Sequence, residues 1–183
     1  DKTVLVTGHT GFKGSWLCSW LLYMGANVVG YSKDIPTNPS LFELNQLENK
    51  ISHIQNDVRD LDKLKECINH FSPDIVFHLA AQPIVSKSFK EPGETFSTNV
   101  MGTFNVLESL KNYKKNCVVI LITSDKCYDN LEWCWGYREM DKLGGKDIYS
   151  GSKGAAELII KSMFETFFKF SNKNIKIGIG RAG

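Results

Sequence analysis

The chain has 183 residues, and its 42% hydrophobic and 23% charged content is that of an ordinary globular protein. A formal net charge of +2 leaves no basic stripe, which argues against a nucleic-acid-binding protein. No apolar run approaches the roughly 20 residues that a transmembrane helix needs. The five scattered cysteines form no C-x-x-C pair, which favours a reduced, cytoplasmic protein without disulfides or a metal site.

Apolar, β-rich segments alternate with segments of helical periodicity along the chain. This alternation predicts an α/β protein with a doubly wound parallel sheet, covered by helices on both faces. Because the chain stops just after a strand, we interpret residues 1–183 as one domain, truncated before a substrate-binding domain. Strands are predicted at 3–7, 27–32, 51–56, 74–80, 116–124 and 174–181, helices at 12–25, 61–71, 91–113 and 149–171, and a polar, aromatic loop at 125–148.

A glycine-rich segment, GHTGFKG, directly follows the first predicted strand and opens the first helix. Gly8, Gly11 and Gly14 then serve the tight turn, the close approach of a pyrophosphate, and the packing of helix on strand. The free N–H groups of the helix N-terminus favour phosphate. Asp34 lies where an acid would bind the adenosine ribose, which favours NAD over NADP, although Lys33 could soften the repulsion of a 2′-phosphate.

Other polar residues near the predicted strand ends allow more than one interpretation. Asp57 follows the third strand and either accepts from the adenine amino group or caps the helix after DVRD; the two roles are compatible. His9 and His78 have no second ligand at metal spacing, so we interpret both as ordinary core or surface residues. His53 and His70 carry no recognisable pattern.

The candidate catalytic residues begin with Tyr149 and Lys153 in YSGSK. At a spacing of four they project from the same face of a helix. A nearby ammonium would stabilise the phenolate and lower the pKa of Tyr149, making it a proton acceptor for an alcohol. Ser124 ends a strand at the edge where ligands bind, so its hydroxyl is placed to bind the same oxygen. Together with nicotinamide, these three residues predict a hydride-transfer site.

Asp125 and Lys126 follow Ser124 and exceed what a simple dehydrogenase needs. A carboxyl and an amine beside a hydride-transfer site could protonate a leaving hydroxyl and remove a carbon-bound proton. A lysine acting as the base must be partly neutral, which requires a lowered pKa. The alternative is a surface ion pair at a strand end.

Several segments carry a family resemblance over the whole chain. TGHTGFKGSWL, HLAAQP, Asn99 in its helix and YSGSK resemble the extended short-chain dehydrogenase/reductases of the NAD-dependent epimerase/dehydratase family. The longer segments PTNPSLFE, AAQPIVSKSF, TSDKCYDN and WCWGYREMDKLGG resemble the CDP-glucose 4,6-dehydratase branch, as does the terminal RAG. The resemblance implies a Rossmann-type NAD-binding domain and a lyase that acts on a nucleotide sugar.

The implied reaction is redox-neutral and has three steps. Tyr149 takes the proton of the glucose 4-hydroxyl while NAD accepts hydride from C4. The 4-ketone acidifies the C5 proton, and water leaves across C5–C6 with Asp125 as the acid. Hydride then returns to C6 and gives CDP-4-keto-6-deoxyglucose, a precursor of 3,6-dideoxyhexoses in surface lipopolysaccharide. Related dTDP-glucose dehydratases have an acidic residue where this chain has Lys126, so the C5 base is left open.

The resemblance also implies binding residues. Lys153 would hold the nicotinamide ribose, Gln82 and Ser86 would contact the substrate together with the aromatic loop, and Asn99 is either a cofactor contact or a structural polar residue. The remaining implied NAD contacts are Thr10, Phe12, Lys13, Asp57, Val58, Ala80, Ala81, Gln82 and Tyr149.

The resemblance further implies a homodimer through the helices at 91–113 and 149–171. The second helix carries Phe164, Phe167, Phe168 and Phe170, which would either form this interface, pack against a missing domain, or pack against the chain's own sheet.

Three other functions stay open. The first is another sugar-nucleotide dehydratase, such as a UDP-N-acetylglucosamine 4,6-dehydratase, which we would not expect to carry WCWGYRE. The second is a 4-epimerase, which needs no acid and amine beside the tyrosine. The third is a non-catalytic nucleotide-binding domain, which often loses the tyrosine. We also expect the 183-residue chain by itself to bind NAD with little turnover.

Overall fold

The computed structural model describes residues 2–183, which form one six-stranded parallel sheet in the order β3-β2-β1-β4-β5-β6. The order reverses between β1 and β4, where a doubly wound sheet opens a ligand crevice. The predicted fold class is therefore confirmed. The strands are β1 (Thr3–Thr7), β2 (Asn27–Ser32), β3 (Ser52–Gln55), β4 (Ile75–His78), β5 (Cys117–Ser124) and β6 (Ile175–Ala182).

Two short helices, at Leu41–Leu44 and at Val85–Lys90, are additions to the predicted set. The segment that carries Asn99 is interrupted by a π-helical turn at Ser97–Met101, and the last helix ends in another at Phe164–Phe168. The helices are α1 (Phe12–Tyr23), α2 (Leu41–Leu44), α3 (Leu61–Phe71), α4 (Val85–Lys90), α5 (Pro92–Phe96), α6 (Gly102–Leu110) and α7 (Ile148–Met163).

The core lies on both faces of the sheet, because successive strand residues point to opposite sides. In β1, Val4 and Val6 pack towards α1, whereas Leu5 packs towards α3, α6 and α7. Burying apolar side chains on both faces is what makes these strands read as continuous apolar runs.

The phenylalanines of the last helix mostly serve this core. Phe168 is fully buried, and Phe164 and Phe167 pack against the same cluster of core residues. Only Phe170 among the four is largely exposed. Packing against the chain's own sheet, one of the three predicted alternatives, therefore accounts for three of these side chains.

The remaining composition-based expectations concern cysteines, metals and membranes. All five cysteines are unpaired, and Cys134 alone among them is exposed. Among residues 2–183, no cluster of side chains has the make-up of a metal site. Within the same range, no helix has the length and apolarity to cross a membrane.

Candidate active site

The glycine-rich segment forms a tight loop between β1 and α1, at the point where the strand order reverses. Gly8 has a φ of +74°, and a side chain there would lie 2.7 Å from the backbone nitrogen of Ala80 beyond β4. A Cβ at Gly14 would lie 2.2 Å from the carbonyl oxygen of Gly8. These contacts confirm the expected turn and the expected close packing of helix on strand.

The surface of this loop is open towards the crevice. A Cβ at Gly11 would make only one ordinary contact, 3.4 Å from the oxygen of Gly8. Gly11 caps α1 without a side-chain hydrogen bond, so the first N–H groups of the helix are left for a ligand. Phe12 and Lys13 begin the helix on its exposed side, while Thr10 is buried and donates to the backbone oxygen of Asp34 at 2.6 Å.

His9, which belongs to the glycine-rich loop, joins this loop to β2 and β3 through its side chain, a role that the sequence did not reveal. His9 is fully buried, and its Nδ1 lies 2.8 Å from Oγ of Ser32. Its Nε2 lies 2.7 Å from Nδ1 of His53, a residue for which no role was predicted. Burial, with the second imidazole, lowers the pKa of His9 to about 4. The interpretation of His9 as a core residue fits this environment.

The predicted adenosine contacts lie at the ends of β2 and β3. The side chain of Asp34 is exposed, and the amine of Lys33 lies 3.4 Å from Oε1 of Glu94, which offsets part of its charge. Asp57 accepts from the backbone N–H and the guanidinium of Arg59, at 2.9 and 3.0 Å. Burial would raise the pKa of Asp57, but these bonds outweigh it and hold the pKa low.

The prediction that Asp57 caps the following helix is wrong. Asp60 is the N-cap of α3, and its Oδ1 accepts from the backbone N–H of Lys63 at 3.0 Å. Asp57 and Asp60 are both of a residue type that commonly caps helices, and α3 begins directly after the second of them. The carboxylate of Asp57 stays at the sheet edge, bound to Arg59. Val58 beside it is buried against Gly102.

Gln82 and Asn99 join the segment after β4 to the helical layer. Asn99 Oδ1 accepts from the backbone N–H of Gln82 at 2.8 Å, and its Nδ2 donates to Oγ of Ser152 at 2.9 Å. The Gln82 side chain bonds to the backbone of Ile84 and to Thr95. Both amides are thus satisfied within the protein, which fits the structural alternative for Asn99. Ala80 and Ala81 are half-buried in this segment, and Ser86 is exposed on α4.

The predicted catalytic residues come together at the carboxyl end of β5. Ser124 is the last residue of that strand, and its hydroxyl donates to Oδ1 of Asp125 at 3.0 Å and contacts Tyr149. Tyr149 and Lys153 are both buried on α7, with the lysine nitrogen 5.8 Å from the centre of the tyrosine ring. Asp147 caps this helix by accepting from Ser150 N–H.

The expected lowering of the Tyr149 pKa is wrong for this structure. Burial raises the pKa of Tyr149, the Ser124 hydroxyl opposes that shift, and Asp125 and Asp147 add to it. Burial and then Lys13 lower the pKa of Lys153 to about 8. The same desolvation therefore disfavours the charged forms of both Tyr149 and Lys153.

Asp125 and Lys126 lie at the surface of a turn, Asp125–Cys127, that follows β5. Their side chains are about half exposed, and the amine lies 3.8 Å from Oδ2 of the carboxylate. The ion pair is present, and it borders an open cavity of about 480 Å³. The other walls of the cavity come from the aromatic loop and the start of α7, chiefly Tyr128, Asn130, Tyr137, Lys146, Asp147 and Ser150.

Comparison with known proteins finds relatives that match nearly the whole chain. Residues 5–175 match the model of the GDP-mannose 4,6 dehydratase family. The chain is 53% identical over 181 residues to CDP-glucose 4,6-dehydratase of Salmonella typhimurium, covering 99% of this chain and 50% of that protein. It is 33% identical over 172 residues to CDP-paratose 2-epimerase of Salmonella typhi, covering 84% of this chain and 50% of that protein.

A solved structure shows the same likeness in three dimensions. UDP-glucuronic acid 4-epimerase from Bacillus cereus, in complex with UDP-glucuronic acid and NAD, superposes with a TM-score of 0.81 at 28% identity. The match covers 98% of this chain and 55% of that one. The chain thus spans about half the length of the curated relatives it matches. On the family-model match and the sheet topology, the chain belongs to the GDP-mannose 4,6 dehydratase family.

Proposed function

We propose that this chain is the NAD-binding half of an enzyme that dehydrates a nucleotide-activated glucose at C4–C6, with CDP-glucose as the substrate. The observation that carries the proposal is that Ser124, Tyr149 and Lys153 lie together at the carboxyl end of β5, next to the Asp125–Lys126 pair that borders the cavity. The 53% identity to a CDP-glucose 4,6-dehydratase supports the nucleotide. Because the curated relatives are about twice as long, we assign substrate binding largely to their second half.

The crevice fits NAD on the chemistry of its residues. The uncapped N-terminus of α1 and the open face of Gly11 suit a pyrophosphate. The positive charge of Lys13 lowers the pKa of Lys153, and the negative charge of a pyrophosphate would offset the repulsion between the two ammonium groups. The exposed carboxylate of Asp34 suits a ribose with a free 2′-hydroxyl. A solved relative was crystallised with NAD, which supports the same cofactor here.

NAD, when bound, supplies the acceptor for hydride from C4 and the donor of the same hydride to C6. Tyr149 takes the proton of the 4-hydroxyl, and Ser124 donates a hydrogen bond to that oxygen. Lys153 lies on the same face of α7, with its nitrogen 5.8 Å from the centre of the tyrosine ring, and we assign it to the nicotinamide ribose. C4 is thereby oxidised to a ketone, which acidifies the proton on C5.

The pair at the turn then serves the elimination. Asp125 gives a proton to the 6-hydroxyl, which leaves as water, and a base takes the proton from C5, with Lys126 as the candidate at this turn. Reduction at C6 and return of a proton to C5 complete the 4-keto-6-deoxy sugar. The sugar has lost one water, and its redox state is otherwise unchanged. A 4-epimerase requires neither the proton donor at C6 nor the base at C5.

The decisive assay uses the full-length product of the gene with NAD and, separately, CDP-, dTDP-, UDP- and GDP-glucose. We expect the alkali-induced absorbance of a 4-keto-6-deoxy sugar from CDP-glucose alone. Product from another nucleotide would overturn the substrate, and a 4-epimer would overturn the dehydration. NAD binding without any product would favour a non-catalytic domain. The 183-residue chain assayed in parallel should bind NAD with little turnover.

We also propose a homodimer in which α5, α6 and α7 pack against a second copy. Phe96, Met101 and Leu158 expose apolar surface on these helices, which supports an interface there. Sedimentation of the full-length product tests this. The variant Leu158→Glu should shift a dimer to a monomer, and an unchanged sedimentation coefficient would overturn the proposed face.

A further inference from the structure

A buried glutamate, Glu157, lies on the same helix face as the proposed catalytic residues. Tyr149, Lys153 and Glu157 follow one another at intervals of four, so all three project from one side of α7. The Glu157 side chain is 2% exposed. Because a buried carboxylate is costly without partners, its surroundings show what it stabilises. The reaction proposed above gives it no chemical step.

Glu157 binds Thr123, the residue before Ser124 at the end of β5. Thr123 donates from its hydroxyl to Oε1 at 2.7 Å, and Arg181 donates from Nε to the same oxygen at 2.8 Å. A second guanidinium nitrogen donates to Oε2, which makes the pair bidentate. Burial would raise the pKa of Glu157, but these donors outweigh it and keep the pKa low. The carboxylate therefore stays charged and fixes the end of β5.

Arg181 extends the contact to the residue that follows the turn. Its Nη1 donates to the hydroxyl of Tyr128 at 2.6 Å, and its guanidinium lies 4.7 Å from the centre of the Tyr128 ring. Thr123 and Tyr128 flank Ser124–Cys127. One ion pair thus holds both ends of the segment that carries Ser124, Asp125 and Lys126.

The same arginine anchors the aromatic loop. Tyr128 stacks on Tyr137 with ring centres 4.9 Å apart, and Tyr137 lies 5.1 Å from Trp133. Trp133 stacks on Trp135 at 5.2 Å. Tyr128 and Tyr137 also line the cavity beside Asp125. The orientation of this aromatic wall therefore depends on where Arg181 places Tyr128.

We propose that Glu157 and Arg181 are positioning residues that set the Asp125–Lys126 turn and the aromatic wall relative to Tyr149 and Lys153. They act on the elimination step and not on NAD binding, since within residues 2–183 neither side chain has a hydrogen bond to the glycine loop. This inference rests on the proposed dehydratase function. Misplacement of reacting groups by about 1 Å is enough to cost roughly 100-fold in rate.

The test uses the full-length product with two variants. Glu157→Gln keeps the shape of the side chain and removes its charge, whereas Arg181→Lys keeps the charge and removes the bidentate guanidinium group. In both variants we expect turnover to fall about 100-fold, with NAD affinity within about 2-fold of wild type. Bound NADH should accumulate at 340 nm on adding CDP-glucose, because oxidation continues while elimination is slowed. The matched control Glu108→Gln removes an ion pair between Glu108 of α6 and Lys111, and it should change neither turnover nor the accumulation of NADH.

A second readout does not depend on catalysis. In a Trp16→Phe/Trp20→Phe background of the 183-residue chain, Trp133 and Trp135 are the remaining tryptophans. Arg181→Lys should raise their quenching by acrylamide about 2-fold, because the wall loses its anchor. If wild type forms no product, the dehydratase function fails while the quenching still decides the positioning role. Unchanged quenching and turnover, or a joint loss of NAD affinity and melting temperature, would overturn the inference.

Discussion

The glycine loop and the catalytic turn both follow parallel strands, but the structure holds them in different ways. The loop is fixed by close backbone contacts, within itself at Gly14 and with Ala80 beyond β4 at Gly8, which leave no room for a side chain. In the turn at Asp125–Cys127 the first two residues are exposed, and in our proposal Glu157 and Arg181, which lie 24 residues apart, position it. A loop that only has to bind can be held by backbone packing, whereas a turn that carries reacting groups needs side-chain supports from other elements.

The largest expected effect is a loss of turnover from a substitution among the proposed catalytic residues, which leaves the glycine loop unchanged. Tyr149→Phe removes the proposed proton acceptor, and we expect turnover to fall about 1,000-fold, within the usual range for general acid–base groups. NAD affinity, measured by titration, should change little because the glycine loop is untouched. Tyr113→Phe, which removes another buried hydroxyl that donates to the backbone of Pro73, is the matched control. A parallel loss of NAD affinity would mean that the two regions are not separable.

The next largest effect is expected from a substitution in the glycine loop. Gly14→Ala places a Cβ 2.2 Å from the oxygen of Gly8 and 2.7 Å from Cα of His9, both of which are backbone atoms that must shift. We expect a loss of about 1–3 kcal/mol in unfolding free energy, as for other overpacked sites, and weaker NAD binding. Gly93→Ala, which meets nothing within 4 Å, is the control. Calorimetry that shows equal NAD affinity for both variants would contradict the packing role of Gly14.

A smaller effect concerns the charge on Lys153. Its pKa of about 8 lies below the ordinary 10.5, so the folded state disfavours the ammonium. Stability is reduced below pH 8 and recovers as the pH rises towards 10.5, where the unfolded chain also becomes neutral. Lys153→Met should therefore unfold with about 2 kcal/mol more free energy at pH 7. Denaturant titrations at pH 7 and 10.5 check this, and a difference that does not shrink at high pH would refute it.

The smallest effect is expected from His9, the buried histidine of the glycine-rich loop. With a pKa of about 4 when folded, His9 stays neutral while the unfolded chain gains a proton below pH 6.5. Stability therefore falls as the pH drops from 6.5 to 4. His9→Asn should remove about 1–2 kcal/mol of the loss between pH 7 and pH 5. His78, whose pKa burial lowers to about 3, adds a loss that the variant keeps. Equal slopes for wild type and variant would contradict this account.

The sequence by itself determined the sheet, the glycine loop and the pairing of Tyr149 with Lys153. These features follow from local periods, because apolar runs mark buried strands and a spacing of four marks one helix face. It did not predict the short helices at Leu41–Leu44 and Val85–Lys90, or which aspartate of DVRD caps α3. Those choices depend on where the chain must turn to rejoin the sheet.

Only the tertiary structure decided which side chains contact one another and in which direction their pKa values shift. The contacts of His9 with His53 in β3, and of Glu157 on α7 with Arg181 in β6, join residues that are far apart in sequence and lie on different elements. The raised pKa of Tyr149 likewise depends on burial, which no local spacing records. Local patterns fix which residues share a face, and the packing of distant elements fixes what each face touches and how it is charged.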